Sequence, residues 1–390
     1  MRPTLALLGI LTLPLAAQQL DKLSLARALE IADQSNLDLA AARLRRAQAL
    51  ARVQIARERP NPTISYGVAR DSPHQGLTVE QPFELGSKRQ WRIDVAKQEG
   101  VLTDVEISAL ARQVRKNTRE AYYDVAAARA ETELFGRVQK LAERLRQIAQ
   151  ERFEAGAVAR LEVLRADAEL ARAQAEYQIS QQREKVSLSQ LNALLNRRAG
   201  QTWDLAGSLE DPLPPAGLDE LIQKAHSLNP DLQHLAQEQK VEQSRLSMLK
   251  AQRIPDLSVN VGTDFNAPGD FQVGPRAGLA VTVPLFARNQ GEIAESQASQ
   301  RILESQVLAS KRTVAGSVER AWFELQALVT QVQIYRQKLL PTARELADLA
   351  EESYRAGKTD ILFVLDAQRN LQEVEHNYLK IGRASCRERV

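Results

Sequence analysis

Cysteine, aromatic residues and clustered histidines are all scarce in this 390-residue chain. Cys386 is the one cysteine, so a framework of disulfide bonds is excluded. The four histidines are scattered without the spacing of metal ligands, and no phosphate-binding loop or catalytic triad pattern occurs. The net charge of +3 is too small to indicate a nucleic-acid partner. We therefore expect a non-enzymatic protein with no cofactor, no bound metal and no nucleic acid.

Long apolar runs are also missing, apart from one short run near the N-terminus. Leu5–Leu15 is apolar, follows a basic residue and precedes Ala16 and Ala17, which offer a small-residue cleavage site. This pattern predicts a secretory signal peptide at residues 1–17. The next residue is Gln18 rather than cysteine, so we expect no N-terminal lipid anchor. No later run reaches the roughly 18 apolar residues that a membrane-spanning helix needs.

One stretch of the sequence occurs twice and ends a long helical pattern each time. Residues 151–177 and 352–378 align without a gap, and each copy has a glycine directly after the last residue of the helical pattern. Glycine stops a helix there because it accepts the left-handed backbone conformation that other residues avoid. The sequence therefore predicts two helical hairpins with tips at Gly156 and Gly357.

Long charged helical patterns lead into both tips, at about residues 87–154 and 288–355, and shorter ones return at about 158–197 and 359–380. The first long pattern contains apolar residues spaced 4, 3, 4 and 3 apart, which is typical of a coiled-coil seam. These seam residues are Leu134, Val138, Leu141, Leu145 and Ile148.

The chain thus divides into two tandem repeats of helix, β-hairpin, long helix and helix. We place the repeats at residues 18–210 and 218–380, with a proline-rich linker at residues 211–217. The last ten residues, 381–390, break the helical pattern and resemble a translated short-read sequencing adaptor. We therefore expect them to be a non-native tail on a second repeat truncated near Lys380.

Four segments alternate between apolar and polar residues with a period of two, at about residues 63–69, 76–83, 256–265 and 277–285. Such alternation predicts β-strands that bury one face. Strands of a transmembrane barrel between lipid and a wet lumen would show it. A half-solvated sheet in a soluble protein would show it equally. The pattern alone leaves both interpretations open.

The repeated order of helix, β-hairpin, long helix, glycine tip and helix resembles the outer-membrane efflux proteins, the TolC-like exit ducts of Gram-negative bacteria. The resemblance covers residues 20–380. Gln81–Gly86 and Val283–Gly291 are most similar to the heavy-metal branch, which serves cobalt–zinc–cadmium or copper RND pumps. The resemblance implies a mainly α fold with a small β part. It further implies a trimeric α-helical barrel that continues into a twelve-stranded transmembrane β-barrel, with four strands from each chain.

The resemblance also implies roles for residues at the tips. Docking to a periplasmic adaptor is implied for Ala155, Gly156, Ala157, Leu161, Val163, Ala356, Gly357, Lys358, Leu362 and Val364. A gate at the narrow end is implied for Glu162, Tyr354 and Asp366, where like charges and pairings would set the balance between closed and open. Phe363 stands where the best-known duct has a second acidic residue, so we expect a less charged gate.

The function implied is a passive exit duct in the bacterial outer membrane, with its helical part in the periplasm. Its partners would be further copies in a homotrimer, a periplasmic adaptor, an inner-membrane pump and outer-membrane lipid. The pump would drive metal ions or small toxic compounds through the duct. A periplasmic coiled-coil adaptor or scaffold is the alternative, because adaptors also carry helical hairpins, although normally one rather than two.

Overall fold

The computed structural model describes residues 22–206 and 217–388. The predicted signal peptide and all of the predicted linker except its last residue lie outside these ranges. The first half contains β1 (Lys22–Ser24), α1 (Leu25–Ser35), α2 (Leu37–Arg57), β2 (Thr63–Val68), β3 (Gln75–Phe83), α3 (Lys88–Glu154), α4 (Arg160–Leu194) and β4 (Asp204–Ala206). The second half contains α5 (Leu218–Leu228), α6 (Pro230–Ala251), β5 (Asp256–Ala267), β6 (Phe271–Thr282), α7 (Gln290–Ile334), a π-helical turn (Tyr335–Leu339), α8 (Leu340–Arg355) and α9 (Ile361–Glu388).

Asparagine caps start the corresponding helix in each half. The Asn36 side-chain oxygen accepts a hydrogen bond of 3.1 Å from the backbone N–H of Leu39. The Asn229 side-chain oxygen accepts bonds of 2.9 and 3.1 Å from the N–H groups of Asp231 and Leu232. These bonds satisfy amides that the first helical turn leaves without partners. The same local chemistry therefore begins α2 and α6.

The four main strands form one antiparallel sheet in the order β2-β3-β5-β6. Paired residues share a face, and one row across the sheet is Ile64, Val79, Val261 and Ala277. Neighbouring rows make this face mainly apolar, although Gln75, Gln81 and Thr263 also lie on it, and Leu279 on it is 72% exposed. The opposite face carries residues such as Asn260 and is polar. The sheet therefore has one mainly apolar face and one polar face.

The sheet differs from the sequence prediction mainly in its last strand. We expected a strand over 277–285, whereas β6 starts at Phe271 and ends at Thr282. Ala267 pairs with Phe271 across a short turn, so the hairpin is tighter and longer than the alternation indicated. Pro275 and two glycines interrupt the apolar pattern of β6, which hid its first half.

The long helix α3 is the element around which the helices pack. It lies against α2 and α6 toward the sheet, and against α4 and α9 toward the glycine tips. A separate core forms where β1 pairs with β4 in parallel, and the buried Tyr122 hydroxyl is 3.0 and 2.8 Å from the carbonyls of Leu23 and Ala206. The sheet thus lies at one end of the helices and both tips at the other.

The last helix contradicts the predicted break at residue 381. α9 continues to Glu388, and the Arg383 guanidinium donates a hydrogen bond of 2.7 Å to Asp124 on α3. Residues 381–388 contain alanine, arginine and glutamate, which favour helices, and no proline that would stop one. That this tail is non-native stays a prediction. Within the described ranges, no helix combines the length and apolarity required to cross a bilayer.

Candidate functional site

Both predicted tips end their long helix in the same Schellman motif. The N–H of Gly156 donates to the carbonyl of Phe153 at 2.9 Å, and the N–H of Ala157 donates to that of Arg152 at 2.8 Å. Gly357 and the residue after it make the equivalent bonds at 3.0 and 2.9 Å. Backbone φ is +70° at Gly156 and +71° at Gly357, where glycine has no Cβ penalty. The predicted helix stops are therefore confirmed.

The two tips pack against each other rather than standing apart. Their shared core joins α3, α4, α8 and α9 and consists of Leu145, Ala149, Val163, Ala166, Ala350, Tyr354, Ile361, Val364, Leu365 and Ala367. Two of the predicted docking residues, Val163 and Val364, lie in this core, so they are not available on the surface. The other eight docking candidates are exposed: Ala155, Gly156, Ala157, Leu161, Ala356, Gly357, Lys358 and Leu362.

Two of the three predicted gate residues meet in the structure. The hydroxyl of Tyr354 donates a hydrogen bond of 3.2 Å to Oε2 of Glu162, which joins α8 to α4. Tyr354 is fully buried. The Arg152 guanidinium lies 4.6 Å from the centre of the Tyr354 ring and donates a hydrogen bond of 3.2 Å to its backbone carbonyl. Arg152 thus clamps the tyrosine from the other hairpin.

The sequence did not indicate the role of Arg152, but it did show that the two tips differ at the position of Tyr354. In the repeated stretch Phe153 corresponds to Tyr354. Phe153 has no hydroxyl, so the first hairpin cannot donate the equivalent hydrogen bond to the second. The bond therefore exists in one direction only, from the second hairpin to the first. Arg152 itself follows no motif, because its role depends on a contact across 202 residues of chain.

The environment of Tyr354 keeps its hydroxyl protonated. Burial raises the pKa of Tyr354 above its ordinary value, and the nearby Glu162 carboxylate raises it further. The Arg152 guanidinium opposes this shift in the pKa without reversing it. The phenol therefore remains a hydrogen-bond donor at physiological pH.

Asp366 is not hydrogen-bonded to this pair. Its side chain is 74% exposed, and its carboxylate lies 4.0 Å from the Arg369 guanidinium one turn along α9. Phe363 lies three residues earlier on the same face and is 50% exposed. The exposed face of α9 therefore carries the Phe363 ring nearer the tip and the Asp366 carboxylate one turn further from it.

Further polar contacts tie α9 to the first hairpin above the tips. Arg369 contacts Glu169 on α4 with N–O distances of 2.6 and 3.4 Å. Gln372 donates a hydrogen bond of 2.9 Å to Glu176 on the same helix. Arg144 on α3 lies 3.7 Å from Glu351 on α8. The two hairpins of one chain are thus held together by a ladder of side-chain contacts, none of which the sequence revealed.

Metal-binding groups are not brought together in the described ranges. No group of three or more His, Cys, Asp or Glu side chains there could hold a metal ion. His376 is on α9 and packs against α3, with Nδ1 3.5 Å from Glu131 and the ring next to Phe135. Burial is the main cause that lowers the pKa of His376.

Comparisons with known proteins identify the family and the fold of this chain. The sequence profile described as Outer membrane efflux protein matches residues 28–197 and 221–384, one segment in each half. The cobalt-zinc-cadmium resistance protein CzcC of Cupriavidus metallidurans is 27% identical over 369 residues, covering 92% of this chain and 86% of CzcC. This similarity supports the predicted likeness to the heavy-metal branch.

Two solved channels share the fold. The CmeC outer membrane channel of Campylobacter jejuni has a TM-score of 0.71 at 17% identity, with coverage of 93% of this chain and 83% of CmeC. The outer membrane protein VceC of Vibrio cholerae has a TM-score of 0.71 at 16% identity, with 94% of both chains covered. The matched profile describes an efflux protein, which agrees with the prediction of a non-enzymatic protein. Since its profile matches most of both halves, the chain belongs to the outer membrane efflux protein family.

Proposed function

We propose that this protein is the exit duct of a tripartite efflux system and carries substrate passively from periplasm to exterior. As a member of the outer membrane efflux protein family, it is located in the outer membrane, with its helical part in the periplasm. The observation that carries the proposal is the sheet, which has one apolar face, one polar face and two open edges. A sheet of this kind is incomplete as a single copy.

Three copies would complete the sheet. β2 and β6 each have a neighbour on one side only, so β2 of one copy can pair with β6 of the next. Closure removes the unpaired backbone groups that lipid does not tolerate. The resulting barrel has twelve strands, its apolar face meets lipid, and its polar face lines the lumen. The helices of the three copies form the periplasmic tunnel below it.

The gate lies at the other end, where the two hairpins of each chain meet. The Tyr354–Glu162 bond and the Arg152 clamp hold the second hairpin against the first in the closed state. Opening breaks these contacts and separates the hairpins. Asp366 and Phe363 from three copies surround the narrow opening, where repulsion among the carboxylates favours the open state.

The exposed tip residues support docking to a periplasmic adaptor. Leu161 and Leu362 are both about half exposed beside the glycines, and one lies on each hairpin. Exposed apolar side chains on rigid tips suit a protein partner. The buried Val163 and Val364 contribute by fixing the shape of this surface. An inner-membrane pump, linked through the adaptor, would drive transport.

The substrate proposal follows from the relative CzcC, whose name describes resistance to cobalt, zinc and cadmium. We expect divalent metal ions of this kind to pass through the duct. The adaptor alternative is not favoured, because the family is that of outer membrane efflux proteins and a further relative is the outer membrane protein TolC of Vibrio cholerae.

The deciding experiment uses a Gram-negative host that carries a cobalt-zinc-cadmium pump and adaptor but no duct. Expression of the full chain should lower intracellular cobalt, zinc and cadmium, and the purified protein should have the mass of a trimer in detergent. Ion conductance in a planar bilayer provides a readout that needs no pump. A trimer that conducts but changes no metal level contradicts the substrate, whereas a soluble monomer contradicts the duct itself.

A further inference from the structure

A rim of exposed arginines surrounds the junction between the sheet and the helices. The basic rim consists of Arg57, Arg59, Arg253 and Arg288. These residues lie where α2 and α6 end and where α7 begins. All four side chains are exposed, and none has an acidic partner among the ion pairs of the described residues.

Direct contacts place the rim at one level of the molecule. Arg89 at the start of α3 donates a hydrogen bond of 2.8 Å to the carbonyl of Arg57 at the end of α2. Asn289, next to Arg288, donates one of 2.9 Å to the side chain of Gln252, next to Arg253. The four helix ends therefore meet in two adjoining pairs directly below the strands.

The charge of this level is not balanced locally. Segments 57–59, 84–92, 252–256 and 285–292 contain seven basic and four acidic residues, a net charge of +3. Two of the basic residues are neutralised, because Lys88 pairs with Asp256 at 2.8 Å and Arg92 pairs with Glu84. The remaining excess belongs mostly to the basic rim.

The opposite end of the sheet carries the other sign. The two loops there, residues 69–74 and 268–270, contain Arg70, Asp71 and Asp270, a net charge of −1. The sheet therefore has a basic end, which faces the helices, and a slightly acidic end.

An exposed apolar group lies within the basic rim. Phe286 is 91% exposed and comes two residues before Arg288, and Leu285 beside it is 60% exposed. They follow the exposed Val281 and Val283 and lie between the end of β6 and the start of α7. An aromatic ring next to arginine at the edge of an apolar band is typical of the lipid–water interface, where the ring lies among headgroups and arginine reaches outward.

From these observations we infer that the basic rim binds the headgroups of anionic phospholipids in the leaflet that faces the periplasm. Each arginine offers a fork of N–H donors that fits phosphate oxygens, and Phe286 enters the acyl boundary beside them. Basic residues near an anionic membrane surface attract it over about a Debye length. The contacts fix the height of the duct in the membrane. This inference rests on the proposed orientation of the sheet in the outer membrane.

The test measures which lipid the protein retains. The full chain is reconstituted into bilayers that contain phosphatidylethanolamine and phosphatidylglycerol, and native mass spectrometry counts the lipids that remain bound. Wild type should retain phosphatidylglycerol in clear excess over its share in the bilayer. Replacing the four rim arginines by glutamine should reduce this enrichment about tenfold or more, since each basic residue near the surface contributes to the attraction. Replacing the four with lysine should preserve most of it.

A matched control removes the same charge elsewhere. Arg43, Arg45, Arg312 and Arg320 are exposed arginines on helix bodies, and in the described part of the chain they too lack an acidic ion-pair partner. Their replacement by glutamine should leave the enrichment unchanged. Equal enrichment in wild type and the rim variant would overturn the inference. So would an equal fall in enrichment in the control variant, because the effect would then follow from net charge rather than from the basic rim.

The outcomes also separate this inference from the proposed function. A protein that inserts, conducts ions and shows no lipid preference keeps its role as a duct and loses the anionic site. A protein that does not insert into the bilayer contradicts the duct and the site together.

Discussion

Tyr354 and Glu162 are 192 residues apart in the chain and are joined by a hydrogen bond of 3.2 Å between their side chains. The donor is fully buried on α8, and the acceptor is in the first turn of α4. The bond therefore connects the second hairpin to the first at the level of the tips. Arg152 reinforces the same junction through the ring and the carbonyl of Tyr354.

Loss of this bond should favour the open gate. In Tyr354→Phe the ring and its packing remain, and the closed state loses about 0.5–1.5 kcal/mol, the net value of one hydrogen bond. The ratio of open to closed should then rise roughly twofold to tenfold for each copy in the proposed trimer. Single-channel conductance in planar bilayers measures this ratio.

Tyr335→Phe is the control for the gate variant, because it removes a hydroxyl from the same long helix away from the tips. Glu162→Gln should reproduce the effect of Tyr354→Phe in part, and the double variant should be less than additive. Additive effects would show that the two side chains act independently. Neutralising both Glu162 and Asp366 without any change in conductance would end the gate proposal.

Alkaline pH should also open the gate, because deprotonated Tyr354 can no longer donate its hydrogen bond to Glu162. The pKa of Tyr354 is raised above its ordinary value, so the protonated phenol stabilises the closed state fully below about pH 10 and less as pH passes the raised pKa. Conductance measured from neutral to strongly alkaline pH should therefore increase in wild type. Tyr354→Phe should lack this step, and a step of equal size in the variant would assign it to other groups.

The Arg369–Glu169 contact should stabilise the closed state weakly. Arg369 is about half exposed, so solvent screens the pair and its contribution is about 0.2–1 kcal/mol. Arg369→Glu places two carboxylates together and should raise the open fraction more than Arg369→Gln does. The exchange Arg369→Glu with Glu169→Arg should restore closure in the conductance assay. A double variant that stays as open as the single one would remove this pair from the gate.

Replacing the tip glycines should destabilise the protein through backbone conformation alone. Gly156 has φ of +70°, and no neighbouring atom lies within 4 Å of the place that an alanine Cβ would take, so Gly156→Ala causes strain without a clash. The cost should be about 1–2 kcal/mol. Gly316→Ala is the matched control, because Gly316 is helical and equally open, and it should stabilise by about 0.5–1 kcal/mol. Thermal unfolding of both variants should shift in opposite directions.

Neighbouring residues of β6 should respond differently to a charge. Leu279→Arg places a cation on the apolar face and should weaken membrane insertion by about 2–4 kcal/mol near the bilayer midplane. Ala280→Arg places the same charge on the polar face and should be tolerated. Recovery of folded protein from vesicles compares the two. Equal losses would mean that the apolar face does not meet lipid.

Local patterns predicted the elements of this fold well. The glycine stops and the alternating strands depend on residues close together in the chain, and each is readable from a short window. The predicted ends of the two long helical patterns therefore match the ends of α3 and α8. The start of β6 was missed because Pro275 and nearby glycines hide the period of two.

The site was predicted only in outline. Family likeness selected Tyr354 and Glu162, but their bond depends on how two hairpins pack, which no local pattern contains. Arg152 and Arg369 look like ordinary solvated charges in the sequence and become contacts only in three dimensions. The resemblance implies a docking role for Val163, whereas packing places its side chain in the core.

The two halves differ by one residue between matched landmarks. Tyr122 and Trp322 correspond, because each makes an edge-to-face contact with the aromatic residue that follows it. From Tyr122 to Gly156 is a step of 34 residues, and from Trp322 to Gly357 a step of 35. The π-helical turn Tyr335–Leu339 lies within the longer interval.

A wide turn of this kind absorbs a single insertion without breaking the helix. Had the added residue stayed in regular α-helix, every later side chain would be rotated by about 100° around the axis. Tyr354 would then point away from Glu162. The extra residue is instead taken up within the five residues of the π-helical turn. The helix after the turn therefore keeps the orientation that lets Tyr354 reach Glu162.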